Sequence, residues 1–407
     1  MRVRLGCAAL LLAGVLSACS PASTPGTPAP AGTPIPTGTA TGSAGMPTGT
    51  HEAPPALPVL AAPTLLKITF QNSVDGWALA DGAIVRTVDG GATWLNATPA
   101  GLTGIGFSDD LFVLDGDHAW LQVPNADFYT GTLYRTVDGG LTWTSFADPF
   151  GGAQIQFLDA STGRLMADRG AASGSQAVEF YQSGDGGATW TSVFHNDPAQ
   201  SGSSDSLPLS GIKTGMIFLN ASTGWVTGTR PVDGEIYLFV THDGGASWSE
   251  QAVPLPAGFE SYQYTAQEPV FFGTDGLLPV NFYMDSGVFE QVFFVTHDGG
   301  ASWSGAPGDA DQAIATPGSY AFSDPTHGLA WDGGAVLFNA YALTPGNPGW
   351  RGTNTDLDLS ERLTQLAYVA GPGDGHTAWA LTAPDDSNHS QLYRSTDDGA
   401  SWTALIP

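Results

Sequence analysis

An eight-residue motif, Ser/Thr-x-Asp-x-Gly-x-Ser/Thr-Trp, occurs six times, at residues 87–94, 136–143, 183–190, 241–248, 296–303 and 395–402. It places Asp89 with Trp94, Asp138 with Trp143, Asp185 with Trp190, Asp243 with Trp248, Asp298 with Trp303, and Asp397 with Trp402. Successive motif tryptophans are 49, 47, 58 and 55 residues apart, then 99. Trp350 divides that last gap into 47 and 52, and residues 343–350 keep the Trp while losing the Asp and Gly. Two further signals recur upstream: a Gly/Ala-Trp pair such as Gly76-Trp77 or Ala378-Trp379, and a Phe-x-Asp/Asn turn such as Phe70-x-Asn72 or Phe107-x-Asp109, varied to Phe272-x-Thr274 in the fifth unit. Three signals in fixed order at a period near 50 residues predict seven copies of one supersecondary unit.

Each unit is short and alternating. In the first, β segments run through residues 66–70, 76–79, 83–87 and 93–95, separated by Gly, Asp and Asn turns. No stretch keeps helical periodicity over three turns. Four strands per unit, seven times, predict an all-β, seven-bladed β-propeller with four-stranded blades, six carrying the motif and the sixth blade degenerate. The motif suits a hairpin between strands three and four. Its Asp accepts backbone N–H groups, its Gly supplies positive φ, and its Trp wedges between blades. Of the 39 acidic residues 31 are Asp, which agrees with turn chemistry.

The N-terminus reads differently. Arg2 and Arg4 precede an apolar run over residues 7–18, too short to span a bilayer. Leu16-Ser17-Ala18-Cys19 resembles a bacterial lipobox, which implies cleavage after residue 18 and lipidation of Cys19. Residues 20–56 contain nine Pro, eight Thr and no aromatic residue, a composition that cannot offset its own ordering entropy. The expected organisation is therefore 1–18 signal peptide, 19–56 lipidated Cys and extended tether, and 57–407 propeller. Loss of Arg2 and Arg4 would leave ten basic residues against 39 acidic ones, which argues against nucleic acid as a partner. With Cys19 lipidated, no thiol remains for disulfides, nucleophilic catalysis or metal ligation.

The motif resembles the Asp-box of bacterial neuraminidase repeats, found in sialidases, xyloglucanases and sortilin-type receptors. The longer unit is most similar to photosystem II stability/assembly factor propellers. That likeness covers residues 65–402 and implies the fold; function follows from it weakly. The assembly-factor role goes with a basic, Arg-rich surface, whereas Lys67 and Lys213 are the only lysines here. The sialidase Phe/Tyr-Arg-Ile-Pro element is absent: residues 66–70 read Leu-Lys-Ile-Thr-Phe.

Strand one-to-two and three-to-four turns share one face of a propeller, so the motifs mark that face as structural. The longer connections, at 125–131, 168–177, 196–211, 257–268 and 383–390, fall on the other. Variable loops on a rigid scaffold are where binding concentrates. Phe128, Tyr129, Phe259, Tyr262, Tyr264, Phe282 and Tyr283 are the candidate ligand face. Aspartates 109, 110, 115 and 117, or 385 and 386, are an alternative, oxygen-rich Ca²⁺ reading; otherwise no cofactor or metal is expected, the eight histidines showing no paired spacing. The sequence thus predicts an exported monomer, lipid-anchored to the outer face of a bacterial membrane, that binds protein or glycan without catalysis. A glycoside hydrolase on the same face, sialidase- or xyloglucanase-like, is the alternative, although no carboxylate pair can be named for it.

Overall fold

Leu65–Phe70, Gly76–Ala80, Ala83–Thr87 and Leu95–Asn96 form an antiparallel meander. Along the first strand Leu65, Ile68 and Phe70 turn inward, while the second, Gly-Trp-Ala-Leu-Ala, is buried on both sides. This is the unit that the chain repeats. The computed structural model describes residues 56–126, 130–255, 259–283, 289–304, 313–314, 319–331, 336–339, 350–353, 363–371 and 375–405. Among these there are strands and no helix. The strands form five four-stranded antiparallel sheets, over residues 65–96, 110–148, 153–195, 320–352 and 363–405, and one nine-stranded sheet over 212–314.

The nine-stranded sheet departs from the expected uniform units. It holds two four-stranded meanders, 212–250 and 270–314. They are joined by an extra strand, Gln263–Ala266, which touches the first through Thr229 and Thr265 and pairs with the second. The long strand Asp275–Tyr283 explains the extra pairing. Its first half pairs with Val270–Phe272 and its second half with Gln263–Ala266. The two short partners are separated by Gln267-Glu268-Pro269, and Pro269 has no N–H to continue a ladder.

Adjacent sheets are held by a repeated aromatic contact. Phe70 stacks on Trp379 with centroids 3.6 Å apart, and Phe157 on Trp120 at 3.8 Å; each pairs a first-strand Phe with a second-strand Trp of the preceding sheet. The indoles also donate to turn carbonyls of the next sheet, Trp120 to Gly186 and Trp379 to Gly90, both at 2.9 Å. Where the third sheet has Arg164 in place of Trp, the guanidinium takes the same slot. It lies 5.2 Å from the Phe218 ring and donates to the Ala221 carbonyl. Gly76 lies opposite Phe70, whose ring occupies the space a Cβ would need, only 2.5 Å away. The motif tryptophans lie at the same junctions: Trp94 packs with Trp379 and Leu392, and Trp143 donates to the Ala97 carbonyl.

The last sheet packs on the first. Gln365 accepts the Ile68 N–H and donates to the Ile68 carbonyl, both at 2.8 Å, and Arg394 donates to the Ser73 carbonyl. Residues 58–60 add to the outer edge of the first sheet, with Leu60 N–H on the Trp94 carbonyl and Asn96 N–H on the Pro58 carbonyl.

Three expectations change. Residues 168–177 are a hairpin more than a loop: Gly163–Ala172 and Ser175–Ser183 run on together and turn at Ser173 and Gly174, both at positive φ. Phe107 does not end a first strand and is 79% exposed; Val113 holds that place, opposite Ala119. In the fifth repeat Phe271, rather than Phe272, faces the strand-two glycine, Gly276. The signal peptide, Cys19 and the tether lie outside the described residues.

Candidate functional site

The two ends of the meanders differ. At one end the motif turns share a single hydrogen-bond pattern. In the first copy the Thr87 hydroxyl donates to Asp89 Oδ1 and accepts the Gly91 N–H, while Asp89 Oδ1 accepts the Thr93 N–H, each at 2.8 Å. The same three bonds occur around Asp138, Asp185, Asp243, Asp298 and Asp397. The Ser302 hydroxyl and N–H hold the Asp298 carboxyl down to about 2. The turns are also tied to the one-to-two turns beside them, as in Gly90 N–H to Val74 O and Gly244 N–H to Ser222 O. The motif's leading Ser/Thr, to which the sequence reading gave no task, organises the turn as much as the Asp does.

Around the axis the first strands bring unlike groups together. Lys67 Nζ of the first sheet lies 2.9 Å from Asp110 Oδ1 of the second. Gln154 of the third donates to Glu268 Oε1, from the break between Gln263–Ala266 and Val270–Phe272. The Met216 N–H, in the intervening meander, reaches the same oxygen at 3.3 Å, across Gly215, which has no side chain in the way. Burial pushes the Glu268 carboxyl up to about 7, although the Met216 N–H and the Lys67 charge favour its ionised form; Asp110 adds to the rise. Burial, and then the Glu268 charge, raises the Tyr320 hydroxyl of the penultimate sheet. Groups from non-adjacent sheets thus act on the same carboxyl. The sequence reading missed this cluster because no spacing links residues 67, 110, 154, 268 and 320; the local signal was Glu268-Pro269 interrupting a strand.

Two members of the candidate aromatic face, Tyr264 and Phe282, lie in the core. Tyr264 and Phe282 face each other across a strand pair and have no exposed surface. Phe259 and Tyr262 pack on that same core cluster, with Phe259 5.2 Å from Phe282. Tyr283 is 39% exposed, and Phe128 and Tyr129 lie outside the described residues. Strand alternation puts Tyr264 and Phe282 inside, where the loop assignment had put them out.

The aspartates of the Ca²⁺ reading serve turns and an ion pair. Asp109 accepts the Gly106 N–H, Asp110 faces Lys67, and Asp115 holds the N–H groups of Asp117 and His118. Asp385 likewise accepts the N–H groups of Ser387 and His389. The one group of three His or carboxylate side chains close enough to share a metal, among the described residues, is Asp324, His327 and His376.

Among the described residues, most guanidiniums are engaged separately. Arg86, Arg135 and Arg394 donate to turn carbonyls of neighbouring sheets, Arg169 pairs with Glu179, and Arg230 with Glu235 and Glu250. Lys213 is buried and donates to the carbonyls of Gln176, Pro208, Leu209 and Gly211, pinning the 196–211 connection.

No family model and no curated protein matches the sequence. Solved structures do. YCF48 bound to a D1 peptide aligns with a TM-score of 0.42 at 16% identity, over 74% of this chain and 86% of that one. A polysaccharide lyase of family 25, an ulvan lyase, gives 0.49 at 10%, over 86% and 98%. A Trypanosoma rangeli sialidase gives 0.39 at 14%, over 62% and 46%. The chain is similar to these Asp-box-type propeller proteins, and the likeness concerns the fold.

Proposed function

We propose that this chain is an exported, Cys19-lipidated, seven-bladed β-propeller that binds a neutral, hydroxyl-rich ligand such as a glycan chain at its axis and does not convert it. The blade number counts the nine-stranded sheet as two blades bridged by Gln263–Ala266. The reading is carried by two polar contacts between different sheets, Lys67 with Asp110 and Gln154 with Glu268, with the Lys67 and Asp110 charges both acting on the Glu268 carboxyl. Such a set offers ammonium, carboxamide, carboxyl and carboxylate partners to hydroxyl groups. A net charge of −27 disfavours an anionic ligand. Titration calorimetry against a panel of neutral oligosaccharides tests the reading: saturable heat that is lost in Glu268→Gln and Lys67→Met supports it, and heat unchanged in both variants contradicts it.

One observation favours a second reading, hydrolysis. A carboxyl at about 7 is a suitable general acid at neutral pH. Release of reducing ends from the same panel between pH 5 and 8, abolished in Glu268→Gln, would replace binding by catalysis.

A further inference from the structure

We infer that Asp324, His327 and His376 form a binding site for one divalent transition-metal ion of the zinc class, on the motif-turn side of the junction between the penultimate and last sheets. His327 Nδ1 lies 3.0 Å from each Asp324 carboxylate oxygen, and His376 Nε2 lies 2.8 Å from Oδ2. The imidazole centroids are 4.2 Å apart, and the three ligand atoms lie within 4.8 Å of one another. Zinc–nitrogen and zinc–oxygen bonds of about 2.0–2.2 Å bring ligand atoms to roughly 3 Å from each other, so small adjustments admit the ion. Two imidazoles with one carboxylate suit zinc or its neighbours; calcium prefers all-oxygen sets. Asp324 and His327 are 26% and 28% exposed, which gives the ion a path in and leaves coordination positions for water.

A second observation points the same way. His376 Nδ1 lies 3.3 Å from Asp398 Oδ1, and the Tyr368 hydroxyl donates to that oxygen at 2.5 Å. A carboxylate that accepts a hydrogen bond from Nδ1–H fixes the tautomer whose Nε2 is free to coordinate, the usual support for a metal-bound histidine. Asp398 sits at φ +58°, in the motif position that is glycine in the other five copies, where φ runs from +69° to +77°. A non-glycine residue there is strained, and the strain coincides with the one copy whose side chain holds a ligand histidine. The molecule also contains a comparison. Asp115 and His118 make the same Asp-x-x-His turn, at 2.9 and 3.1 Å, but no third ligand joins them among the described residues.

Titration calorimetry of the full chain with ZnCl₂ tests the assignment, beside His376→Gln, Asp398→Gly and His118→Gln. The expected result is one ion per chain at micromolar affinity or tighter. His376→Gln should abolish it and His118→Gln should leave it unchanged. Asp398→Gly should weaken it about 10–100-fold while raising the melting temperature of the metal-free protein, because glycine relieves the φ strain. That variant keeps the test informative if His376→Gln does not fold. The visible bands of added Co²⁺ should follow the same order. Absence of saturable binding, or binding equal in wild type, His376→Gln and Asp398→Gly, would reduce the cluster to two histidines hydrogen-bonded to one carboxylate and overturn the site.

Discussion

The motif turns and the axial cluster occupy the same repeated scaffold and are built on opposite plans. Six turns place the same hydroxyl, carboxylate and N–H groups at the same distances, and any one resembles the rest. At the axis, five sheets or meanders contribute Lys67, Asp110, Gln154, Glu268 and Tyr320, no two in the same role. Repetition marks what every unit needs in order to fold. Divergence at positions that face one another marks where a particular molecule could be recognised.

The contrast can be broken most forcefully at a repeated contact. Trp379→Ala removes the ring stacked on Phe70 and the donor to Gly90, at the junction where the last sheet meets the first. A loss of about 3–5 kcal/mol in urea unfolding is expected, with the first and last sheets separating together. A loss below about 1 kcal/mol would mean that the repeated stacking is incidental.

Glu268 sharpens the other side. Its folded pKa of about 7 lies above the ordinary glutamate value of 4.5, so the folded state holds the proton more tightly. The contribution is fully present below pH 4.5 and is lost as pH rises through 7. Glu268→Gln should match wild type near pH 4.5 and exceed it above pH 7.5, by up to roughly 3 kcal/mol. Melting temperatures measured from pH 4.5 to 8 check the slope; parallel curves would place Glu268 in water.

Single motif turns should matter less. Thr241→Val deletes the hydroxyl that donates to Asp243 and accepts the Gly245 N–H, leaving a buried donor unpaired. About 1–2 kcal/mol is expected from denaturant unfolding, with ligand binding unchanged. Lys67→Met should be smallest in stability, under about 1 kcal/mol, because the Lys67–Asp110 pair is exposed. It should nonetheless weaken oligosaccharide binding. An equal loss of binding in both variants would erase the distinction between the two ends.

The repeated end was legible in the sequence because its determinants are local. Asp and Gly within one turn, a Trp after it and a Gly-Trp pair before it fix the meander whatever surrounds them. Even there, the register of the second sheet slipped: Phe107 mimicked a Phe-x-Asp turn that belongs to Val113 and Asp115. The axial cluster was illegible because it is set by ring packing across 253 positions, from Lys67 to Tyr320. The aromatic residues at 259–283 misled for a related reason. An added strand, Gln263–Ala266, converts a loop into a buried sheet face, and its Tyr264 can be seen as core only once Phe282 is placed opposite it. Asp324, His327 and His376 share the difficulty, since His376 reaches the Asp-x-x-His turn from the next sheet.

The most direct test of the axial cluster is the ionisation of Glu268 itself. Carboxyl-carbon resonances of ¹³C-glutamate-labelled protein, followed from pH 3 to 9, can be assigned by difference against Glu268→Gln. A Glu268 midpoint near 7, moving upward in Lys67→Met, is the predicted result. A midpoint near 4.5 that ignores Lys67 would show an ordinary solvated carboxylate, and the groups named here would not share a site.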